Sequence, residues 1–139
     1  IGHSQKLDYV YPIDNTENLC EINTMICNNL LQMLGKEMHY DCIVFNMGTR
    51  FKGFFDILDR SNEIYLVQKK CGISQWREYE FTEELMERGL SNVVERIKII
   101  EPPVIAVPVS TCEKLVEMWK WNEFGDVIRN MTRGISCAG

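Results

Sequence analysis

The run Glu63–Gln68 (EIYLVQ) is the clearest strand signal in the sequence, and the neighbouring elements are placed relative to it. Its centre is β-branched, aromatic and aliphatic, and the polar turn Asp59–Asn62 precedes it, as is typical of a strand. Upstream, Tyr40–Phe45 and Phe51–Leu58 lie on either side of another polar turn and predict a strand pair. Gly53 in the second of these marks a bulge or a close backbone approach.

Downstream of this run the sequence predicts a loop, a short helix and two more strands. Residues 69–80 have the polar composition of an exposed loop. The segment Phe81–Leu90 predicts a helix, in which Gly89 supplies a left-handed C-terminal cap. Ile97–Ile100 and Val104–Val109 are short apolar runs of strand length.

Two capping boxes predict amphipathic helices towards the two ends of the chain. Asp14 and Glu17 have the spacing of the first box, and the apolar stripe after them ends at Gly35. Ser110 and Glu113 have the spacing of the second box, which opens a C-terminal helix. The stripe positions are Leu19, Ile22, Ile26, Leu30 and Met33 in the first helix, and Cys112, Leu115, Val116 and Trp119 in the second.

Length and composition are those of a globular protein with one core. The chain has 139 residues, of which 45% are hydrophobic and 25% charged, and these values suit a single domain over residues 1–139. Combined with the elements above, they predict an α+β fold. Its sheet would be small, curved and mostly antiparallel, or a partial barrel, with helices packed on it.

Charge and cysteine usage narrow the function classes. The formal net charge is -5, from 20 acidic and 15 basic side chains, which argues against broad nucleic-acid binding because counterion release favours basic proteins. No apolar run reaches the roughly 18 residues that a membrane span needs. The six cysteines include no CxxC pair and no Cys/His cluster. We therefore expect reduced thiols in an intracellular protein, with no metal and no cofactor.

Two stretches resemble extended Tudor domains. Leu7–Glu37 is similar to the segment that follows the Tudor core of that family, with Tyr11-Pro12-Ile13 at the end of a strand and Gly35-Lys36 after a helix. The helix Glu84–Leu90 (ELMERGL) is similar to the Leu-(Val/Ile)-x-x-Gly-Leu-Ala helix of the family's staphylococcal-nuclease-like half. The resemblance covers residues 6–94.

The resemblance implies both an architecture and a function. Residues 6–94 would form an OB-type, nuclease-like core, and residues 95–139 would add a strand and a C-terminal helical extension. The family's aromatic cage for methylated arginine has no counterpart here, because the chain lacks the Asp-Tyr-Gly-Asn run of the Tudor core. The resemblance therefore implies a non-catalytic scaffold that binds protein partners in the cytoplasm, associated with germline small-RNA (piRNA-type) granules.

The nuclease-like half of this family raises the question of catalysis. Staphylococcal-type nucleases hold Ca²⁺ with a set that includes an Asp-x-x-Glu, which Asp14 and Glu17 match. The same spacing is that of a helix capping box, which is the interpretation we favour. Lys52-Gly53 stands where the family has Arg-Gly, and lysine supplies a point charge without a bidentate fork.

The element order also suits the PD-(D/E)xK fold, so a divergent metal-dependent nuclease, or an inactive relative of one, stays open as the alternative. Glu37 would be the acidic residue of the first helix, Asp56 a strand carboxylate, and Lys70 the residue that helps to activate water. Gln68 stands where an Asp or Glu is usual, and hard cations need anionic oxygen. We therefore favour a function without catalysis.

Four aromatic residues are the candidate partner-binding positions, because aromatic side chains are enriched at interfaces. Trp76 and Tyr79 lie in the predicted loop. Trp121 lies near the surface of the C-terminal helix together with Phe124, just before Gly125 interrupts that helix. Homodimerisation would use an edge strand or the C-terminal helix.

Overall fold

A computed structural model describes residues 2–4, 7–11, 18, 21–38, 40, 42–103 and 112–133 of the chain. The chain forms two compact units, Ile1–Arg60 and Ser61–Gly139, which are described separately below. Helices and strands are both present, so the predicted α+β class is confirmed. The single domain over residues 1–139 stays a prediction, because compact units occur within domains as well as between them.

The described part of the first unit contains two short strands and two helices. The strands pair antiparallel, with Gly2 opposite Tyr9 and Ser4 opposite Leu7. A π-helical segment directly follows the first helix. The elements are β1 (Gly2–Ser4), β2 (Leu7–Tyr9), α1 (Thr24–Gln32), the π-helical segment (Met33–Glu37) and α2 (Phe54–Arg60).

Helix α1 is capped by Asn23, a residue that the sequence analysis did not single out. The Asn23 side-chain oxygen accepts a hydrogen bond from Ile26 N at 3.1 Å, which satisfies one of the free amides at the start of the helix. The predicted capping box at Asp14 and Glu17 lies outside the described residues. The predicted helix is therefore confirmed over Thr24–Gln32.

The end and the buried face of this first helix both differ from the prediction. Gly35 does not end it, because Met38 N donates to Met33 O at 3.2 Å and continues the helix by a π-helical turn. Within α1 the buried residue is Cys27, whereas Leu30 of the predicted apolar stripe is exposed. The stripe therefore predicted helical structure correctly, but it did not identify the side that is buried.

Helix α2 replaces the strand that was predicted over residues 51–58. Of the other predicted strand, Tyr40–Phe45, residues 42–45 have no regular structure. A Cβ built on Gly53 would overlap Cys27 Sγ, so the chain enters α2 directly against α1. Gly53 thus marks the close backbone approach that was predicted. The buried side chains of α2 recur at spacings of three and four residues, as a helix requires: Phe54, Ile57 and Leu58.

The described part of the second unit is built on a parallel strand pair. Its strands are in register, with Tyr65 opposite Lys98, so the strands predicted over 63–68 and 97–100 are confirmed. Val104–Val109 lies outside the described residues. The elements are β3 (Ile64–Val67), α3 (Gly72–Glu87), α4 (Ser91–Arg96), β4 (Ile97–Ile100), α5 (Cys112–Lys120) and α6 (Glu123–Arg133).

The mostly antiparallel sheet predicted from the sequence is not found among the described residues. The sheets there are the two-stranded antiparallel pair β1–β2 and the two-stranded parallel pair β3–β4. A parallel pair needs a long crossover connection, which α3 and α4 supply. The prediction was wrong because one segment assigned to the hairpin is a helix, and because residues 69–80, assigned to a loop, begin the crossover.

The turn between α3 and α4 is a Schellman motif at Gly89, whose φ is 75°. Leu90 N donates to Leu85 O, and Gly89 N donates to Met86 O, both at 2.9 Å. Leu85 before the turn and Val93 after it are fully buried. The predicted left-handed cap is therefore confirmed, and it joins the two helices that contribute these core residues.

Helices α5 and α6 meet at a corner made by Asn122 rather than at Gly125, where the interruption was predicted. Asn122 Oδ1 accepts hydrogen bonds from Phe124 N at 2.9 Å and from Gly125 N at 3.4 Å, which caps α6. Gly125 is buried in the first turn of α6, where a Cβ would come within 2.6 Å of Lys120 O. Arg129 Nη1 also donates to Lys120 O, at 2.7 Å. Gly125 therefore allows close packing at the corner instead of ending the helix.

A polar cluster joins the two strands of the second unit to α6. The Tyr65 hydroxyl donates to the Glu63 carboxylate and lies 3.5 Å from Met131 O. Lys98 Nζ lies 3.2 Å from Glu63 Oε2 and 5.5 Å from the centre of the Tyr65 ring. The Glu63 carboxylate raises the pKa of Tyr65 to about 12, and the Tyr65 hydroxyl and Lys98 hold the pKa of Glu63 below its ordinary value.

Replacing Gly53 by alanine is expected to destabilise the protein by about 1–3 kcal/mol, because the added methyl group overlaps Cys27 Sγ. Cys27→Ala in the same background should recover part of that loss, so the two substitutions should be non-additive. The free energy of unfolding in urea measures both effects. Gly48→Ala is the matched control, since a Cβ at Gly48 has no atom within 4 Å. Additive losses at residues 27 and 53 would contradict the packing explanation.

Tyr65→Phe is expected to lower the free energy of unfolding by an amount that depends on pH. The folded-state pKa of Tyr65 is raised. Its contribution to the free energy of unfolding is therefore fully present below pH 10.0, the ordinary pKa, and is lost as the pH rises towards about 12. The folded-state pKa of Glu63 is lowered, so its contribution is present above 4.5 and is lost as the pH falls through the depressed value. Urea unfolding across this range measures the difference between wild type and variant.

The difference in the free energy of unfolding between wild type and Tyr65→Phe should be greatest between about pH 5 and pH 10, and it should become smaller below and above this range. Tyr79→Phe is the matched control, because Tyr79 is exposed and its hydroxyl forms no hydrogen bond with another described residue. A wild-type advantage that stays constant from pH 7 to about pH 11 would contradict the role assigned to the Tyr65–Glu63 bond.

Candidate functional site

Trp76 and Tyr79 lie on helix α3, and the loop predicted over residues 69–80 is wrong from residue 72 onward. Cys71 is the N-cap, and the amides of Ser74 and Gln75 each donate to Cys71 O at 3.1 Å. The side chains of α3 before Leu85 are half-buried or exposed. This solvent-facing composition resembles that of a loop, which explains the error.

Three large apolar side chains on the first half of α3 are directed to solvent. Ile73 is 68% exposed, Trp76 59% and Tyr79 62%. Residues three apart are neighbours on a helix surface, so these side chains form a continuous band that winds around α3. We call it the α3 apolar strip (Ile73, Trp76 and Tyr79). Large exposed apolar patches on a protein surface mark interaction sites.

A groove lies between the end of β3 and the side of α3. Its α3 residues recur at i, i+3, i+4 and i+7, so they share one face of the helix. We call it the β3–α3 groove, and it is lined by Leu66, Val67, Gln68, Lys69, Ser74, Arg77, Glu78 and Phe81.

The polar groups of the groove are only partly satisfied. Gln68 Oε1 is buried and has no hydrogen-bond partner among the described residues, although Gln68 N donates to Ile100 O at 2.9 Å. Lys69 and Arg77 form no ion pair with another described residue. Glu78 is the acidic residue among those that line the groove. The groove therefore offers one buried acceptor and a small excess of positive charge.

Cys71 lies beside the groove, and its thiol is close to Ser74. Its Sγ is 3.3 Å from Ser74 Oγ, and hydrogen bonds from the Ser74 side chain and backbone lower the pKa of Cys71. By contrast, burial raises the pKa of Cys27. In the described part of the chain Cys27, Cys42 and Cys71 are free thiols.

Trp121 and Phe124 have separate environments, although the sequence analysis grouped them. Trp121 is 81% exposed, and its Nε1 donates to Glu117 Oε1 at 3.1 Å. Hydrogen bonds from Lys120 and Trp121 lower the pKa of Glu117. Phe124 is half-buried against Trp119, with ring centres 4.9 Å apart. Trp121 is therefore the accessible aromatic residue of the α5–α6 corner.

The residues of the alternative nuclease hypothesis are divided between the two units. Asp56 lies on helix α2 rather than on a strand, and its Oδ2 accepts a hydrogen bond from Thr24 Oγ1 at 2.8 Å. Glu37 ends the π-helical segment, and its side chain lies outside the described part of the chain. Gln68 and Lys70 follow β3 in the second unit. The strand position that the hypothesis requires of Asp56 is therefore wrong.

Neither a metal-ligating cluster nor a membrane-spanning helix occurs among the described residues. No three His, Cys, Asp or Glu side chains there lie close enough together to hold a metal ion. None of the helices there combines the length and the apolar character that crossing a bilayer demands.

Two surface features were missed from the sequence alone. Ile73 belongs to the α3 apolar strip, and the three-residue spacing of Ile73, Trp76 and Tyr79 is a helical signal that could have identified it. The β3–α3 groove has no local signal, because it requires the end of a strand and the side of a helix to approach each other.

Comparison with known proteins gives no relative from which a function could be transferred. No protein-family model, no curated protein and no solved structure matches this chain.

Proposed function

We propose that this chain is a non-catalytic protein-protein interaction module that binds its partner through the α3 apolar strip. The observation that carries the proposal is the exposure of Trp76 and Tyr79 side by side on one helix, each about three-fifths accessible to solvent. Trp and Tyr combine a large contact area with a polar handle and are typical anchors of protein interfaces. Trp121 offers a second, separate contact at the α5–α6 corner.

The strip supplies part of the binding energy, but not all that a stable complex needs. Covering the exposed parts of Trp76 and Tyr79 would remove roughly 200–300 Å² of surface from water, worth roughly 5–8 kcal/mol at about 25 cal/mol per Å². Association itself costs about 4–15 kcal/mol in lost freedom of motion. A partner therefore has to touch more than the strip, and α3 also borders the β3–α3 groove.

The cellular setting is part of the proposal. The resemblance of Leu7–Glu37 and Glu84–Leu90 to extended Tudor domains supports a scaffold role in cytoplasmic germline granules of the small-RNA pathway. The proposal needs no nuclease-like barrel, because the strip lies on a helix of a parallel βααβ unit. It also needs no methyl-arginine cage, since the contact is a strip of exposed apolar side chains.

Trp76→Ala is expected to weaken partner binding by about 30-fold or more, as truncation of an interface anchor usually costs at least 2 kcal/mol. Partners are captured from a germ-cell extract, purified, and titrated against wild type and variants by calorimetry. Trp121→Ala is the matched variant, because it removes the same side chain from the α5–α6 corner. Circular dichroism confirms that each variant is folded. Loss of binding in Trp121→Ala with full binding in Trp76→Ala would refute the strip as the interface.

Catalysis is tested separately, with single-stranded and duplex RNA and DNA in the presence of Mg²⁺ or Ca²⁺. We expect no hydrolysis above the buffer rate, since Asp56 lies on a helix and bonds to Thr24. Hydrolysis that Asp56→Ala abolishes would overturn the non-catalytic proposal and favour the divergent nuclease. Thr24→Val, which removes the same hydrogen bond but keeps the carboxylate, separates loss of a metal ligand from loss of local structure.

A further inference from the structure

We infer that the β3–α3 groove binds an extended peptide segment of the partner. The segment would add a strand to the edge of β3 opposite β4, which has no strand partner among the described residues, and would place an acidic side chain between Lys69 and Arg77. The inference rests on the proposed function and deepens it, because it names the form and chemistry of the bound segment. Its contacts are distinct from those of the α3 apolar strip, so the two can fail independently.

The backbone of β3 supplies the first step. Gln68 N donates to Ile100 O of β4 at 2.9 Å, and the peptide groups of a strand point alternately to its two sides. The N–H and C=O of Val67 and the N–H of Lys69 therefore face away from β4. Among the described residues β3 pairs with β4 alone. This edge is a template for main-chain hydrogen bonds from an added strand.

The position of the groove supplies the second step. Leu66, Val67, Gln68 and Lys69 are consecutive residues, and all four line the groove. Side chains of a strand alternate between its two faces, so four consecutive lining residues place the groove at the edge and the end of β3 rather than on one face of it. The α3 residues form the opposite wall. An extended chain fits between a strand edge and a helix in this way.

The side chains of the groove select the chemistry of the peptide. Lys69 and Arg77 are without an ion-pair partner in the described part of the chain, and Glu78 offsets one of the two charges. A carboxylate of the peptide would pair with Arg77, whose planar fork suits carboxylates. Leu66 and Phe81 line the groove beside these charges and would pack against an apolar residue of the same peptide.

Gln68 favours an occupied groove over an empty one. Its Oε1 is buried and has no partner among the described residues, and an unsatisfied buried acceptor is costly. A rotation of the Gln68 side chain that turns its amide into the groove would let a backbone N–H or a hydroxyl of the added strand satisfy it. A peptide thus supplies three matched elements at once: main-chain groups for the β3 edge, a donor for Gln68 and a carboxylate for the two cations.

The experiment uses the full chain and three fluorescent peptides that differ at one feature each. The first is acetyl-Ser-Thr-Val-Glu-Val-Thr-Ser, the second has Lys in place of Glu, and the third carries N-methyl groups on both Val residues, which block strand addition. Binding is followed by fluorescence anisotropy, and amide NMR shifts locate the contact. We expect the Glu peptide to bind at least tenfold more tightly than either of the others, with shifts at Val67, Lys69 and Arg77.

Charge reversal tests the assigned cations. Arg77→Glu should invert the preference, so that the Lys peptide binds more tightly than the Glu peptide. Arg133→Glu is the matched control, because it makes the same change in charge on α6, outside the groove, and should keep the wild-type preference. Any one of three results would overturn the inference. The first is equal affinity for the Glu and Lys peptides, and the second is equal affinity for the Glu peptide and its N-methyl form. The third is the absence of amide shifts at about 1 mM peptide, which is roughly the weakest useful affinity.

The strip and the groove are told apart by comparing the two experiments. Partner binding that depends on Trp76, combined with no peptide binding in the groove, refutes the groove and leaves the proposed function in place. Peptide binding that survives in Trp76→Ala supports the groove as a contact of its own. The amide shifts at the groove could instead accompany self-association of the chain, which a rise in its mass in solution would reveal. That result would assign the edge of β3 to a second copy of the chain and would overturn the inference.

Discussion

Leu90 N donates to Leu85 O across the left-handed turn at Gly89, and this hydrogen bond sets the direction of the chain from α3 into α4. A φ of 75° suits glycine, because other residues carry a Cβ that strains this conformation. Leu85 and Val93 on the two sides of the turn are fully buried. The helix pair held by this turn is the crossover that allows β4 to pair with β3 in parallel.

The features that were predicted correctly have local causes. Gly89 was identified as a cap because glycine after a helical segment has few other uses, and the strands at 64–67 and 97–100 were recognised from short runs of β-branched and aliphatic residues. The close approach at Gly53 was also predicted. The sequence did not indicate that Cys27 is the neighbour of Gly53, because a contact across 26 residues leaves no local pattern.

The errors have nonlocal causes. The run from Phe51 to Leu58 suits a strand by alternation and a helix by the spacing of its apolar residues, and packing of Gly53 against α1 decides between them. Trp76 and Tyr79 were identified as candidates from residue type alone, while their helix was missed because it is mostly solvent-facing. Phe124 was grouped with Trp121, but the Asn122 cap turns α6 so that Phe124 packs on Trp119.

Helix α3 presents two different surfaces because its sides have different neighbours. Ile73, Trp76 and Tyr79 face solvent, and the face that includes Arg77 and Phe81 borders the edge of β3. In the proposed complex, apolar contact with the strip would supply affinity but tolerate many partners, whereas main-chain pairing and a single ion pair would fix direction and register. The strip would contribute roughly 5–8 kcal/mol against a cost of association of about 4–15 kcal/mol, so a second contact would strengthen the complex. Under the proposed function, a segment that used both surfaces would pass along β3 and across α3, and the order of acidic and apolar residues in the partner would then be the basis of selection.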